Sequence, residues 1–130
     1  MANTILFVCT ENSARSQMAE AFFNYHNRNP NYVGTSAGTA PAKEVKPLAI
    51  AVMAERGIDI RHQTPEVLTR EMAGEASRII TMGCVKSCPL TDPAKTKDWK
   101  LQDPVGKTIE VYRTVRDNIE ARVKTLISRL

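Results

Sequence analysis

Thr4-Ile5-Leu6-Phe7-Val8-Cys9-Thr10-Glu11-Asn12-Ser13-Ala14-Arg15-Ser16 is the stretch on which the reading of the fold turns. Its first residues, Thr4 to Val8, form an unbroken apolar and β-branched run, the pattern of a short strand buried on both faces. A polar turn follows from Cys9 to Ser13. From Ala14 to Asn27 the apolar residues Met18, Ala21, Phe22 and Tyr25 recur at helical spacing. Strand, polar loop and helix in that order predict the opening of a layered α/β domain.

Working outward, a second β-like stretch, Tyr32 to Ala37, follows the turn Asn29-Pro30-Asn31 and ends at Gly38. Pro47 to Arg56 reads as a helix stopped by Gly57. Thr64-Pro65-Glu66-Val67 reads as a cap, a first-turn proline and a short helix running to about Met72. Arg78 to Met82 is another buried strand, and a loop region carrying Cys84, Cys88, Pro89, Pro93, Trp99 and Pro104 comes next. Ile109, Tyr112, Val115, Ile119, Val123, Leu126 and Leu130 then step by three or four through an amphipathic helix spanning Lys107 to Leu130. Alternating strands and helices predict an open parallel sheet with right-handed crossovers and helices on both faces. Ligands of such sheets bind beyond the carboxyl ends of the strands, where Cys9 and Cys84 both fall.

The 130 residues fit one domain, expected to span 1–130, and such a domain holds a core without disulfide staples or a structural metal. Hydrophobic residues at 42% and charged residues at 25% exclude disorder and collagen-like repeats, and no apolar run is long enough to span a bilayer. The N-terminus has no basic leader before its apolar run, so a cytoplasmic protein is expected. Eighteen Lys and Arg against fourteen Asp and Glu give a net charge of +4, spread along the chain without basic runs. That balance favours anionic substrates and gives no support to nucleic-acid binding.

An odd count of three cysteines in a short cytosolic chain points to chemistry, metal binding or plain burial, and away from a disulfide framework. Five residues separate Cys9 from Arg15. A loop of that length, closing on a helix N-terminus, directs successive backbone N–H groups at an oxyanion and adds the helix's partial positive charge. Thr10, Glu11, Asn12, Ser13, Ala14, Arg15 and Ser16 are therefore the candidate oxyanion-binding set. A thiol in such a field drops from about 8.5 to roughly 3.5–7.5, so Cys9 is the candidate nucleophile. Arg15 supplies a planar fork for two oxygens, and Ser16 is placed to hydrogen-bond the Cys9 sulfur. Three cysteines without a neighbouring histidine make a poor zinc set, and His26 and His62 have no partner at ligand spacing. No metal and no cofactor are expected.

Cys9 to Glu20, Ser36-x-Gly38-Thr39, Ala54-Glu55-Arg56-Gly57-Ile58-Asp59-Ile60 and Asp103-Pro104 together resemble the low-molecular-weight protein tyrosine phosphatase superfamily. Within it the chain looks most like the thioredoxin-coupled arsenate reductases, above all in Asn12-Ser13-x-Arg15-Ser16-Gln17-Met18-Ala19-Glu20. The resemblance covers essentially the whole chain. It implies a four-stranded parallel sheet, with Asp103 as the acid that protonates the leaving oxygen. Glu11 stands where glycine is common in the wider superfamily, and its side chain is expected to point to solvent. Val105 stands where the phosphatases often carry an aromatic residue.

The resemblance also assigns Cys84 and Cys88 as resolving cysteines. It implies that Cys9 attacks arsenate, Cys84 attacks Cys9 with release of arsenite, and Cys88 attacks Cys84. Thioredoxin or a similar dithiol reductant then restores the pair. Residues four apart on a helix hold their Cβ atoms about 5–6 Å apart, whereas a disulfide wants about 3.8 Å, so residues 83–98 are expected to form a mobile segment. A monomer acting on arsenate or phosphate, with no nucleic-acid or membrane partner, is the expectation. Two alternatives stay open: a protein tyrosine phosphatase, which has no need of Cys84 and Cys88, and a non-catalytic oxyanion-binding or redox-sensing module, which has no need of Asp103.

Overall fold

A computed structural model of the protein describes residues 2–83 and 92–130. Four parallel strands, β1 (Asn3–Cys9), β2 (Tyr32–Gly38), β3 (Ala76–Thr81) and β4 (Thr96–Asp98), form one sheet in the order β2-β1-β3-β4. Among the described residues four α-helices accompany it: α1 (Arg15–His26), α2 (Pro47–Ala54), α3 (Arg70–Glu75) and α4 (Ile109–Ser128). This is the expected open α/β layering.

The apolar run in β1 has a direct structural cause. Side chains alternate across a strand, so Ile5, Phe7 and Cys9 enter the larger core with Met18, Phe22, Val52, Ile119 and Val123. Leu6 and Val8 enter a smaller core with Leu68, Ala73 and Ile79. Helices α1, α2 and α4 thus cover one face and α3 the other. Met18 and Met53 are fully buried in the larger core. Trp99 packs there too, its ring centroid 5.9 Å from that of Phe7. Among the described residues no helix is long and apolar enough to cross a membrane.

Two local expectations are corrected. Thr64 does not open a helix: Gly38 N donates to Glu66 O, Leu68 N donates to Gly38 O, and Val67 bridges to the end of β2. Main-chain pairing with a distant strand outcompetes the local cap, and the helix starts later, where the Thr69 hydroxyl accepts from Met72 N at 3.1 Å. Residues 92–98, expected to be mobile, are instead tied down. Asp92 caps a 3₁₀ turn over Pro93–Lys95, and β4 pairs with β3 from Ile79–Thr96 to Thr81–Asp98. Cys84 and Cys88 lie outside the described residues.

Helices α2 and α4 are clamped to each other by charge. Buried Arg116 donates to Val52 O at 3.0 Å and to Glu55 Oε1 at 2.6 Å, while Arg113 donates to both Glu55 oxygens. The Arg113 and Arg116 hydrogen bonds hold the Glu55 carboxyl down at about 2, from an ordinary value of 4.5. A depressed carboxylate stabilises the fold above its unfolded value, and that stabilisation is lost as pH falls through the folded value. Thermal unfolding midpoints are therefore expected to decline between pH 4.5 and about 2. Because Glu55 is exposed, high salt should flatten the decline. In Glu55→Gln, the Glu55 share of that slope should be absent when midpoints are measured across the same range. An unchanged slope would remove Glu55 from the account.

Candidate active site

The loop from Cys9 to Arg15 leaves the carboxyl end of β1, and its main-chain bonding shows which way it faces. Cys9 O accepts from Thr39 N, Thr10 O from Ala40 N, Glu11 O from Ala42 N, and Ser13 O from Lys46 N. Asn12 O accepts from Gln17 Nε2, and Ala14 O takes the first helical bond from Met18 N. Every carbonyl from 9 to 14 is thus turned away, onto the segment after β2 or into α1. Across a trans peptide the N–H of the next residue points opposite to the C=O, so this bonding turns the loop's N–H groups inward. They converge on a cavity of about 300 Å³ lined by Cys9, Thr10, Ser13, Arg15, Asp103 and Val105 among others. The start of α1 adds its positive end to the same point.

At the floor lies Cys9, buried, with Asn12 N donating to its sulfur at 3.1 Å and Ser16 Oγ 2.9 Å away. Ser16 in turn accepts from Asn12 Nδ2 at 2.7 Å, which leaves its own hydroxyl proton to point at the sulfur. Donors on both sides stabilise negative charge there and so favour the nucleophilic thiolate.

Asn12 is the hub of the loop. It is fully buried and takes a positive φ of 51°, a conformation Asn tolerates better than most residues. Its Oδ1 accepts from Glu66 N at 2.8 Å and from Gln17 Nε2 at 3.1 Å, and Gln17 is itself held by Gln63 Nε2 at 2.7 Å. Residues 63–66, which include the would-be cap Thr64, therefore serve as a brace behind the loop. Gly38 completes the brace: a Cβ there would stand 2.5 Å from Thr10 O and 3.0 Å from Asn12 N.

Arg15 is buried and fixed in plane. Its Nη1 donates to Met82 O at 2.7 Å and Leu101 O at 2.9 Å, and its Nη2 lies 3.6 Å from Asp103 Oδ2. Anchoring one nitrogen on two carbonyls orients the fork that lines the cavity. Asp103 stands at the exposed rim, where its Oδ1 accepts from Val105 N at 3.0 Å in an Asx turn, keeping the carboxyl over the opening. Glu11 is exposed and also lines the cavity, so the expected turn wholly to solvent is not what the fold gives; Lys46 Nζ lies 3.7 Å from its Oε1 and partly offsets its charge.

The structure thus brings Cys9, Thr10, Glu11, Ser13, Ala14, Arg15 and Asp103 to one cavity, while Asn12 and Ser16 do not line it and bond the Cys9 sulfur instead. Sequence reasoning did not single out Gln17, Gln63 and Glu66, or the carbonyls of Met82 and Leu101. Gln17 was visible within the motif, and Gly38 within Ser36-x-Gly38-Thr39. The main-chain partners carry no side-chain signal.

Comparison with known proteins places this geometry in a family. Residues 4–130 match the family described as low molecular weight phosphotyrosine protein phosphatase. A glutaredoxin arsenate reductase from Synechocystis is 39% identical over 129 residues, covering 97% of each chain. The solved structure of an arsenate reductase in the phosphate binding state superposes with a TM-score of 0.86 at 38% identity, covering 98% of both chains. A thioredoxin-dependent arsenate reductase from Corynebacterium glutamicum gives a TM-score of 0.82 at 31% identity, covering 98% of this chain and 61% of that one. The loop that closes on Cys9, the sheet behind it and the extent of these matches carry one conclusion: the chain belongs to the low-molecular-weight phosphotyrosine protein phosphatase family.

Proposed function

We propose that the protein is an arsenate reductase that works as a monomer through three thiols, with Cys9 as nucleophile, Arg15 as oxyanion clamp, Asp103 as acid, and Cys84 and Cys88 as the resolving pair. The observation that carries the reading is the inward-facing loop with the Cys9 sulfur at its focus. Cys9 thiolate attacks arsenic; an As–O bond breaks, and Asp103 gives its proton to the departing oxygen, which leaves as water. Cys84 thiolate then attacks the Cys9 sulfur. The S–As bonding pair passes to arsenic, which is reduced from As(V) to As(III), and a Cys9–Cys84 disulfide forms. Cys88 thiolate attacks the Cys84 sulfur, freeing Cys9 and leaving a Cys84–Cys88 disulfide that an external dithiol reduces.

A phosphatase would need only Cys9, because water resolves its phosphocysteine. Arsenate-dependent oxidation of NADPH separates the readings, followed through thioredoxin with its reductase and, in parallel, through glutaredoxin with glutathione and its reductase. Cys84→Ser and Cys88→Ser are expected to lose sustained turnover, by at least a hundredfold, with either reductant. Wild-type rates in both variants would reject the relay. Equal hydrolysis of an aryl phosphate by all three proteins, without arsenate turnover, would install the phosphatase in its place.

A further inference from the structure

The positive excess that looks dispersed along the sequence is gathered in space on the other side of the sheet's edge. A groove of about 600 Å³ lies between β4 and the last turns of α4, within the usual range of small-molecule sites. Its geometry follows from two periodicities. Arg78 pairs with Ile5 and Ile80 with Phe7, so both point to the α4 face, and Lys97, paired with Ile80, points the same way. Trp99, two residues on, keeps that direction. Arg122, Leu126 and Arg129 follow at helical spacing on one side of α4 and close the groove from above.

The result is a narrow floor from the edges of Ile80 and Trp99, both nearly buried, faced by Leu126 from α4 and ringed by five cations, Arg78, Lys95, Lys97, Arg122 and Arg129, with no carboxylate among the described lining residues. None of the five makes an ion pair among the described residues, whereas Arg56, Arg61, Arg113 and Arg116 elsewhere all do. Residues 84–91 contain no acidic residue that could neutralise the rim. Lys95 is held in place, its Nζ donating to Ala76 O at 2.6 Å and Gly74 O at 3.1 Å, so its charge is a fixed part of the wall. Arg122 is steadied by Asn118 Oδ1 at 3.0 Å. Concentrating like charge this way costs self-repulsion, which a bound anion relieves. Arg78 sits opposite Ile5, four residues before Cys9, so the groove's lower end is roughly 13 Å along the strands from the nucleophile.

We propose that this groove is a second anion site, separate from the Cys9 loop, for a metabolite-sized organic anion with a flat apolar body and two or more acidic groups. The body lies against Leu126 and the exposed edge of Trp99, and the acidic groups reach cations on opposite walls. The proposal does not depend on which reaction the Cys9 loop performs.

Trp99 is the single tryptophan of the chain, so its indole N–H gives one resonance from a residue that lines the groove. Naphthalene-1,5-disulfonate, which Cys9 has no phosphoryl or arsenyl centre to attack in, is the probe. Titrated into the ¹⁵N-labelled protein, it is expected to shift that resonance saturably, to do so equally in saturating inorganic phosphate, and to bind at least tenfold more weakly to Lys97→Gln/Arg122→Gln. That variant should keep wild-type arsenate turnover. Absence of a saturable shift, loss of the shift in phosphate, or unchanged affinity in the variant would each overturn the proposal. So would equal binding of uncharged naphthalenedimethanol, which would reduce the groove to an apolar patch. Binding of polyglutamate without the disulfonate would overturn it in favour of an acidic protein partner.

Discussion

Arg15→Lys is expected to lower kcat/KM for arsenate by about 10²–10³-fold while leaving a folded protein. Lysine keeps the charge but has no planar fork, so it can neither grip two oxygens at once nor hold its direction through two carbonyls. In the native chain the guanidinium is fixed by Met82 O and Leu101 O before any anion arrives. The same replacement leaves one or both of those buried carbonyls short of a donor, which adds a stability cost of about 1–3 kcal/mol. Two measurements keep the effects apart. Protection of Cys9 from alkylation by inorganic phosphate reports anion binding, and the denaturant midpoint reports stability. A variant with wild-type phosphate protection would show that Arg15 is a structural tie and no part of the anion site.

Gly38→Ala is expected to be as damaging, although residue 38 touches no substrate. Cβ atoms essentially never come within 3.0 Å of another heavy atom, and here the nearest neighbour at 2.5 Å is the main-chain oxygen of Thr10. The loop itself must move, because main chain cannot swing aside as a flexible side chain does. Overpacking of this kind costs about 1–3 kcal/mol. Displacement of the loop by even 1 Å costs activity about 10²-fold. Gly74→Ala is the matched control: it lies in α3 with nothing within 4 Å of the added methyl, so it should be neutral or stabilising by up to about 1 kcal/mol. Equal behaviour of the two variants, in unfolding and in turnover, would remove the steric argument.

Much of the fold is legible in the chain because its signals are local. The five apolar residues of β1 that are buried on both faces, the 3.6-residue stripe of α4 and the glycine stop after α2 need no knowledge of the rest. Strand β4 was not legible from periodicity. Thr96-Lys97-Asp98 is a short polar edge strand with charged side chains, a composition that protects an exposed edge and also erases the apolar signal. The false helix at Thr64 fails for the opposite reason. Its cap and proline are sound local chemistry, overruled by pairing with Gly38, far away in sequence. In the site, Cys9, Arg15 and the loop between them read directly because side chains and spacing carry their chemistry. The brace behind them did not, because it is built from carbonyls, from main-chain N–H groups and from two glutamines that meet only in the folded chain.

The Met82 carbonyl has a wider bearing. It accepts from the guanidinium that faces the anion, and it lies two residues before Cys84. To whatever extent oxidation of the Cys84 and Cys88 thiols displaces that peptide, it changes the enzyme's affinity for oxyanion. Under the proposed relay, thermodynamic linkage would make the effect reciprocal: a bound anion would shift the reduction potential of a Cys84–Cys88 disulfide by the same free energy. In the proposed relay a single main-chain oxygen would then be shared between anion binding and thiol chemistry.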